Sequence, residues 1–269
     1  MERLFKYFKS FELGLQSAME YRADFLLSIL SGSFAIIIQC FLWTALYGSG
    51  GTLNFYGYTY GQMMTYTIMA GIVTKLIATG FEYEIADDIK NGGLNKFIVQ
   101  PMNYFIYRIS CFFGRKSLQL VFILVLAAAV MMIFNSFFSL DTDLGNMLLF
   151  LPPILAALVL NFFIFLCVST LAFWLTEIWA AFLGMNLVIN ILSGGIFPLE
   201  IFGKGALKVF NLLPFKYTIY YPVSILNGRI SSVEIMQGLL VQCVWIILLF
   251  LFSNLLWRSG MKKYVAVGG

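Results

Sequence analysis

Within nine positions the chain sets four carboxylates and one ammonium: Glu82, Glu84, Asp87, Asp88 and Lys90. Asn91-Gly92-Gly93 follows directly. Paired acids can do general acid–base work, but nothing here completes such a site. The sequence has no histidine, which removes the commonest general base and the commonest metal ligand. Its four cysteines, Cys40, Cys111, Cys167 and Cys243, form no CxxC pair and read as reduced packing residues. No GxxxxGK[ST] phosphate loop is present, because Gly203-Lys204-Gly205 lacks the spacing. If ATP drives this chain, another chain binds it. What remains for Glu82–Lys90 is mechanical: a short polar helix closed by a glycine C-cap. Two readings stand side by side, a solvated connector and a rigid charged element on which a soluble motor pushes.

The elements that would carry this helix belong to a membrane. Of 269 residues, 61% are hydrophobic and 11% charged, with a mean hydropathy of +0.88. Soluble domains run at about 45–50% apolar and about 25% charged. That excludes a soluble enzyme, a disordered chain and a nucleic-acid binder. A transmembrane helix takes about 20 mostly apolar residues, and the sequence is expected to form six, over residues 25–47, 60–81, 117–134, 147–175, 179–196 and 235–257. Ahead of them, Leu4, Phe8, Phe11, Leu15 and Met19 recur at three- or four-residue steps. Residues 1–20 therefore read as an amphipathic helix lying in the interface and not as a signal peptide. Polar loops hold Pro101 on one side and Asp141 and Asp143 on the other. Twelve of the 17 lysines and arginines, from Arg3 to Lys263, fall on one side. Lys204, Lys208, Lys216 and Arg229 fall on the other, and Lys75 lies inside a span. The positive-inside rule then places both termini in the cytoplasm.

Residues 197–234 are too apolar for an ordinary loop, and Pro198, Pro214 and Pro222 cut them into pieces shorter than a crossing. With Gly194 before them, they are expected to form two outer re-entrant half-helices, whose backbone must be buried in protein or face water. Polar residues within spans are usually packing glue. Gln39, Asn161, Asn186 and Asn190 are the notable cases, the last two one turn apart on one face. As a stripe they mark a pathway or a subunit seam. Thr67, Gly71, Thr74 and Ala78 give the second span a small-residue packing face. Lys75 is expected to snorkel toward the cytoplasmic side, with a substrate contact as the alternative.

In this order the features resemble a membrane subunit of the type-2 ATP-binding-cassette exporters. The matching parts are the amphipathic N-terminal helix, the charged segment 82–103 with Ile89-Lys90-Asn91-Gly92-Gly93-Leu94, the Ser193-Gly194…Phe197-Pro198 motif, and Leu213-Pro214-Phe215…Pro222…Gly228. The family often has Arg or Lys before the proline at 101, where this chain has Gln100. The resemblance implies one transmembrane domain over residues 1–269 in a bacterial plasma membrane. It also implies a second permease copy, identical or homologous, and two copies of a cytoplasmic ATPase subunit holding ATP and Mg. No cofactor or nucleic acid binds this chain itself. ATPase closure would be felt at Glu82, Glu84, Asp87, Asp88, Lys90, Gly92, Gly93 and Glu177, and an amphiphilic or hydrophobic compound would leave past the half-helices. Reversing Glu84, Asp87 and Asp88 is then expected to uncouple the ATPase without unfolding the permease. The main rival is an ion-coupled secondary transporter of a small hydrophobic solute, which usually carries membrane-embedded acids; the spans are nearly free of them. An intramembrane enzyme and a membrane-anchored assembly factor are further alternatives.

Overall fold

The computed structural model describes residues 2–48, 56–100, 102–133 and 144–264. Pro101, the Asp141/Asp143 loop and the Phe134 end of the third expected span lie outside the described residues. The elements are α1 (Glu2–Glu20), α2 (Arg22–Gly48), α3 (Tyr60–Ile77), α4 (Glu82–Lys90), α5 (Asn95–Val99), α6 (Tyr104–Ile133), α7 (Leu144–Thr170), α8 (Trp179–Leu192), α9 (Gly203–Phe210), α10 (Tyr220–Leu226) and α11 (Ser232–Met261). Short 3-10 turns at Leu171–Phe173, Leu199–Phe202 and Phe215–Tyr217 punctuate them.

Helix α7 is apolar all round, the pattern of a helix buried on every side, and it is the centre of the bundle. It packs against α11, α10, α4 and α3. Leu158, Leu160, Phe162, Ile164 and Leu166 from α7 lie in a core with Ile85, Phe112, Phe182 and Tyr221. At the periphery the order inverts. Leu27, Leu30, Phe34, Ile38 and Phe41 of α2, and Val233, Met236, Leu240, Ile247 and Leu255 of α11, are exposed. Apolar surface of this extent belongs against lipid or another subunit.

Among the described residues, four helical stretches are long and apolar enough to cross a bilayer: Arg22–Gly48, Tyr60–Lys90, Leu149–Phe173 and Ser232–Met261. Helix α8 is apolar but has only 14 residues, about 21 Å at 1.5 Å per residue. The expected fifth span is shorter than predicted because the chain turns at Gly194, whose φ of +77° is left-handed. In place of two half-helices of about 15 residues, residues 197–234 form α9 with eight residues and α10 with seven.

The N-terminal helix makes its closest contact with the bundle through small residues and not through its large apolar side chains. It lies on α6 through small residues: Ser10, Gly14 and Ala18 are buried, while Phe8 and Met19 are exposed. A Cβ at Gly14 would come within 2.1 Å of the Cys111 carbonyl oxygen, and one at Gly114 within 2.0 Å of that of Phe11. Of the apolar stripe read from the sequence, Phe8 and Met19 are exposed and Phe11 and Leu15 half-buried, while the small stripe makes the closest helix contact. Helices α2 and α3 meet in a similar way, with Gly71 against Ile36 and Gly32 against the Lys75 stem.

Candidate functional site

The acids of α4 are divided by helical phase. Glu84 and Asp88, one turn apart, face α6, where the Arg108 guanidinium bridges them. One nitrogen of Arg108 donates to Glu84 Oε2 at 2.5 Å, another to Asp88 Oδ2, and Nε to the Tyr104 hydroxyl at 3.1 Å. Tyr104 in turn donates to Asp88 Oδ2 at 2.8 Å. Arg115 takes the other Glu84 oxygen at 2.6 Å. Asp88 and Arg108 are each 8% exposed, so the core of this network is desolvated and charge-paired. Burial pushes the Tyr104 phenol well above its ordinary range, which keeps it a donor. Trp257 of α11 stacks on Tyr104 with ring centres 5.0 Å apart. Beyond Lys90, the chain turns at Gly92 with φ +77°, and Leu94 N–H donates to the Asp88 carbonyl at 3.2 Å. A side chain at Gly93 would strike Asp88, its Cβ falling 2.3 Å from Oδ1.

The outward strip of α4 is therefore Tyr83, Asp87 and Asn91, at i, i+4 and i+8, all exposed. Beside it Lys90 Nζ donates to the Thr176 carbonyl, which brings exposed Glu177 next to α4. Helix α1 and the segment after α11 arrive here too. Tyr7 accepts from Asn103 N–H at 3.1 Å, and Tyr264 donates to Asn95 Oδ1 at 2.9 Å. Of the acids expected to face a partner, Asp87 and Glu177 are exposed. Glu82 is buried and accepts from Thr79 at 2.8 Å, while Glu84 and Asp88 hold α4 to α6. Reversing all three of Glu84, Asp87 and Asp88 would set new cations against buried Arg108, so it would not spare the fold as expected from sequence.

The break between α3 and α4 is pinned from two sides. A helix C-terminus leaves carbonyls without partners and carries partial negative charge. Lys116 Nζ of α6 reaches the Leu76 carbonyl at 3.1 Å and that of Lys75 at 3.5 Å. Asn161 Nδ2 of α7 reaches the Ile77 carbonyl at 2.8 Å. Asn161 is thus a cap on α3 in this structure. Lys75 does run toward the start of α2, where Nζ donates to the Ser28 carbonyl at 2.7 Å. Thr67 is buried and bonds the Met63 carbonyl of its own helix. Asn186 bonds the Phe182 carbonyl of its own helix. Asn190 and Gln39 are half-buried on α8 and α2. The structure does not gather these residues around one space. A cavity of about 600 Å3 opens instead between α1, α2, α4 and α6, lined by Tyr21, Asp24, Phe25, Glu84, Arg115 and Gln119 among others; it holds none of the expected pathway residues.

At the opposite end lies a residue that the sequence reading passed over. Glu200, in the turn after Pro198, accepts on Oε1 from Tyr58 at 3.1 Å and from Tyr220 at 2.6 Å. Its Oε2 is buried and has no partner among the described residues. The Arg229 guanidinium stands 3.6 Å from the Tyr58 ring centre and donates to the Gly57 carbonyl at 3.2 Å. Tyr66 donates to the Gly194 carbonyl at 2.6 Å, and Tyr220 N–H to that of Ser193 at 2.7 Å. Pro198 and Pro222 are buried within this arrangement, and Pro214 starts the turn that leads into it. A lone acid among apolar neighbours offers little signal. Its type, in so acid-poor a segment, was the one available hint.

Among the described residues no group of three or more acids and cysteines is placed to hold a metal. Comparison with known families finds that a family model described as ABC-2 family transporter protein matches residues 33–268. No curated protein and no solved structure matches the chain.

Proposed function

The chain belongs to the ABC-2 family of transporter proteins and is a membrane permease of that class; from that premise we propose that it is the motorless half of an ATP-driven exporter of an amphiphilic or hydrophobic compound. A separate cytoplasmic ATPase, in two copies, would bind beneath two permease chains, identical or homologous. Both termini and α4 would then face the cytoplasm, and α9 and α10 would lie on the outer side as re-entrant pieces. ATP and Mg would sit on the partner.

One observation carries this reading. Helix α4 is short, polar and held rigidly by Arg108 and Arg115, yet it leaves a strip of Tyr83, Asp87 and Asn91 facing outward. A push on that strip passes through the α4–α6 ion pairs into a helix of 30 residues and not into a loose loop. Asp87→Lys tests it. In membranes bearing the full complex, this variant should lose ATP-driven transport and retain less ATPase on purification, at unchanged thermal stability. Unchanged ATPase binding and transport in Asp87→Lys would remove the coupling role. Cargo movement by the purified permease under an ion gradient alone would remove the ATP-driven reading.

A further inference from the structure

We propose that Glu200 is the closing element of a latch on the outer exit, holding α10 and the turn after α8 against the start of α3 until the transporter is driven open. The inference rests on the transport reading above and gives it a named gate. Three stretches far apart in sequence, 57–66, 193–200 and 220–229, meet at one carboxylate. Oε1 takes both phenolic donors, from Tyr58 and Tyr220. Hydrogen bonds are directional, so they hold one geometry and let go once the donors move. Water takes their place on opening, which makes such a contact reversible in a way that packed apolar surface is not.

Two further features suit a device that opens. The turn carrying Glu200 is bracketed by Gly194 and Gly203, with φ of +77° and +82°, backbone states open to glycine at little cost. Gly194 is packed against Tyr66 and Tyr220 while a Cβ at Gly203 would meet nothing within 4 Å, so the segment is pinned at one end and unencumbered at the other. The second feature is the unpartnered Oε2. A buried acceptor without a donor is penalised while it stays dry, and the penalty is lifted when water reaches it. The closed state is thus held by one carboxylate oxygen and opposed by the other. Arg229, stacked on the Tyr58 ring and bonded to Gly57, is a second contact between the α10 stretch and the start of α3, and it must part together with the carboxylate's bonds on opening.

Ser193 reports on closure because it is fully buried and its carbonyl is bonded by Tyr220. In the intact complex, with the four native cysteines replaced by serine, Ser193→Cys is exposed to a membrane-impermeant maleimide from the outer side without ATP. Labelling should be slow in this parent. The Tyr58→Phe/Tyr220→Phe pair, which deletes both phenolic hydrogen bonds, should label about tenfold faster or more. Glu200→Ala should do the same. Glu200→Gln, whose amide oxygen still accepts both phenols, should stay as slow as the parent. A merely structural role for Glu200 would not produce that rescue. Parent-rate labelling of the double phenylalanine variant, or Glu200→Gln labelling as fast as Glu200→Ala, overturns the latch. If the pair fails to fold, Tyr220→Phe alone decides by the same criterion, since it deletes one oxygen. The readout needs no cargo and no ATP, so failure of the transport reading shows separately, as absent ATP-driven movement in the unaltered complex.

Discussion

Arg108 shows how much of this site depends on one side chain. Removing it leaves Asp88 buried without its cation, and breaking a buried pair from one side costs about 3–5 kcal/mol. Arg108→Met should therefore lower thermal stability in detergent by that order, and adding Asp88→Asn should recover part of the loss. Independent additive losses from the two changes would show that the pair is not coupled. Asp87→Lys, on the exposed side of the same helix, should leave unfolding unchanged. The sequence displayed all four acids of α4 and the glycines that end it, and helical phase alone separates Glu84 and Asp88 from Asp87. It could not say which side faces inward, because the deciding cation lies 20 residues beyond Asp88 on another helix. Glu200 was harder still, since both its donors, Tyr58 and Tyr220, are distant in the chain.

Among the elements, α1 and α6 make the closest approach, and their contact leads to a sharp prediction. Gly114→Leu would drive its side chain into the Phe11 carbonyl, so α1 should lift from α6 and become sensitive to protease, with a fall in stability of about 1–3 kcal/mol. Gly184→Ala on α8, where a Cβ meets nothing within 4 Å, should change neither readout. Capping offers a second test. Asn161→Leu strips the donor from the Ile77 carbonyl and should cost about 1–3 kcal/mol, the penalty for leaving a buried acceptor unpaired; calorimetry of the solubilised protein would measure it. Helix positions were largely legible from hydropathy and from proline and glycine. The face that α1 uses was not, because its small residues, which carry a weak hydrophobic signal, make the closest contact while Phe8 and Met19 stay exposed. The role of Asn161 was likewise hidden, since a cap on another helix is a matter of tertiary placement.

On the scale of the whole molecule, polar work is confined to the two ends and apolar flanks are left between them. Phe34, exposed midway along α2, should not tolerate a charge: Phe34→Arg adds about 2.5–3.5 kcal/mol to insertion, and the yield of membrane-integrated protein should drop. The break after Ile77 has a wider consequence. Lys116 and Asn161 clamp the last carbonyls of α3, so the start of α4 is a fulcrum, while its far half is tied to α6 through Asp88 and to the Thr176 carbonyl through Lys90. An arm of nine residues measures about 13 Å, and a 1 Å stroke at its tip turns it by only about 4°. Small displacements from below would thus arrive at α6 as leverage, through the same guanidinium that keeps the arm in place.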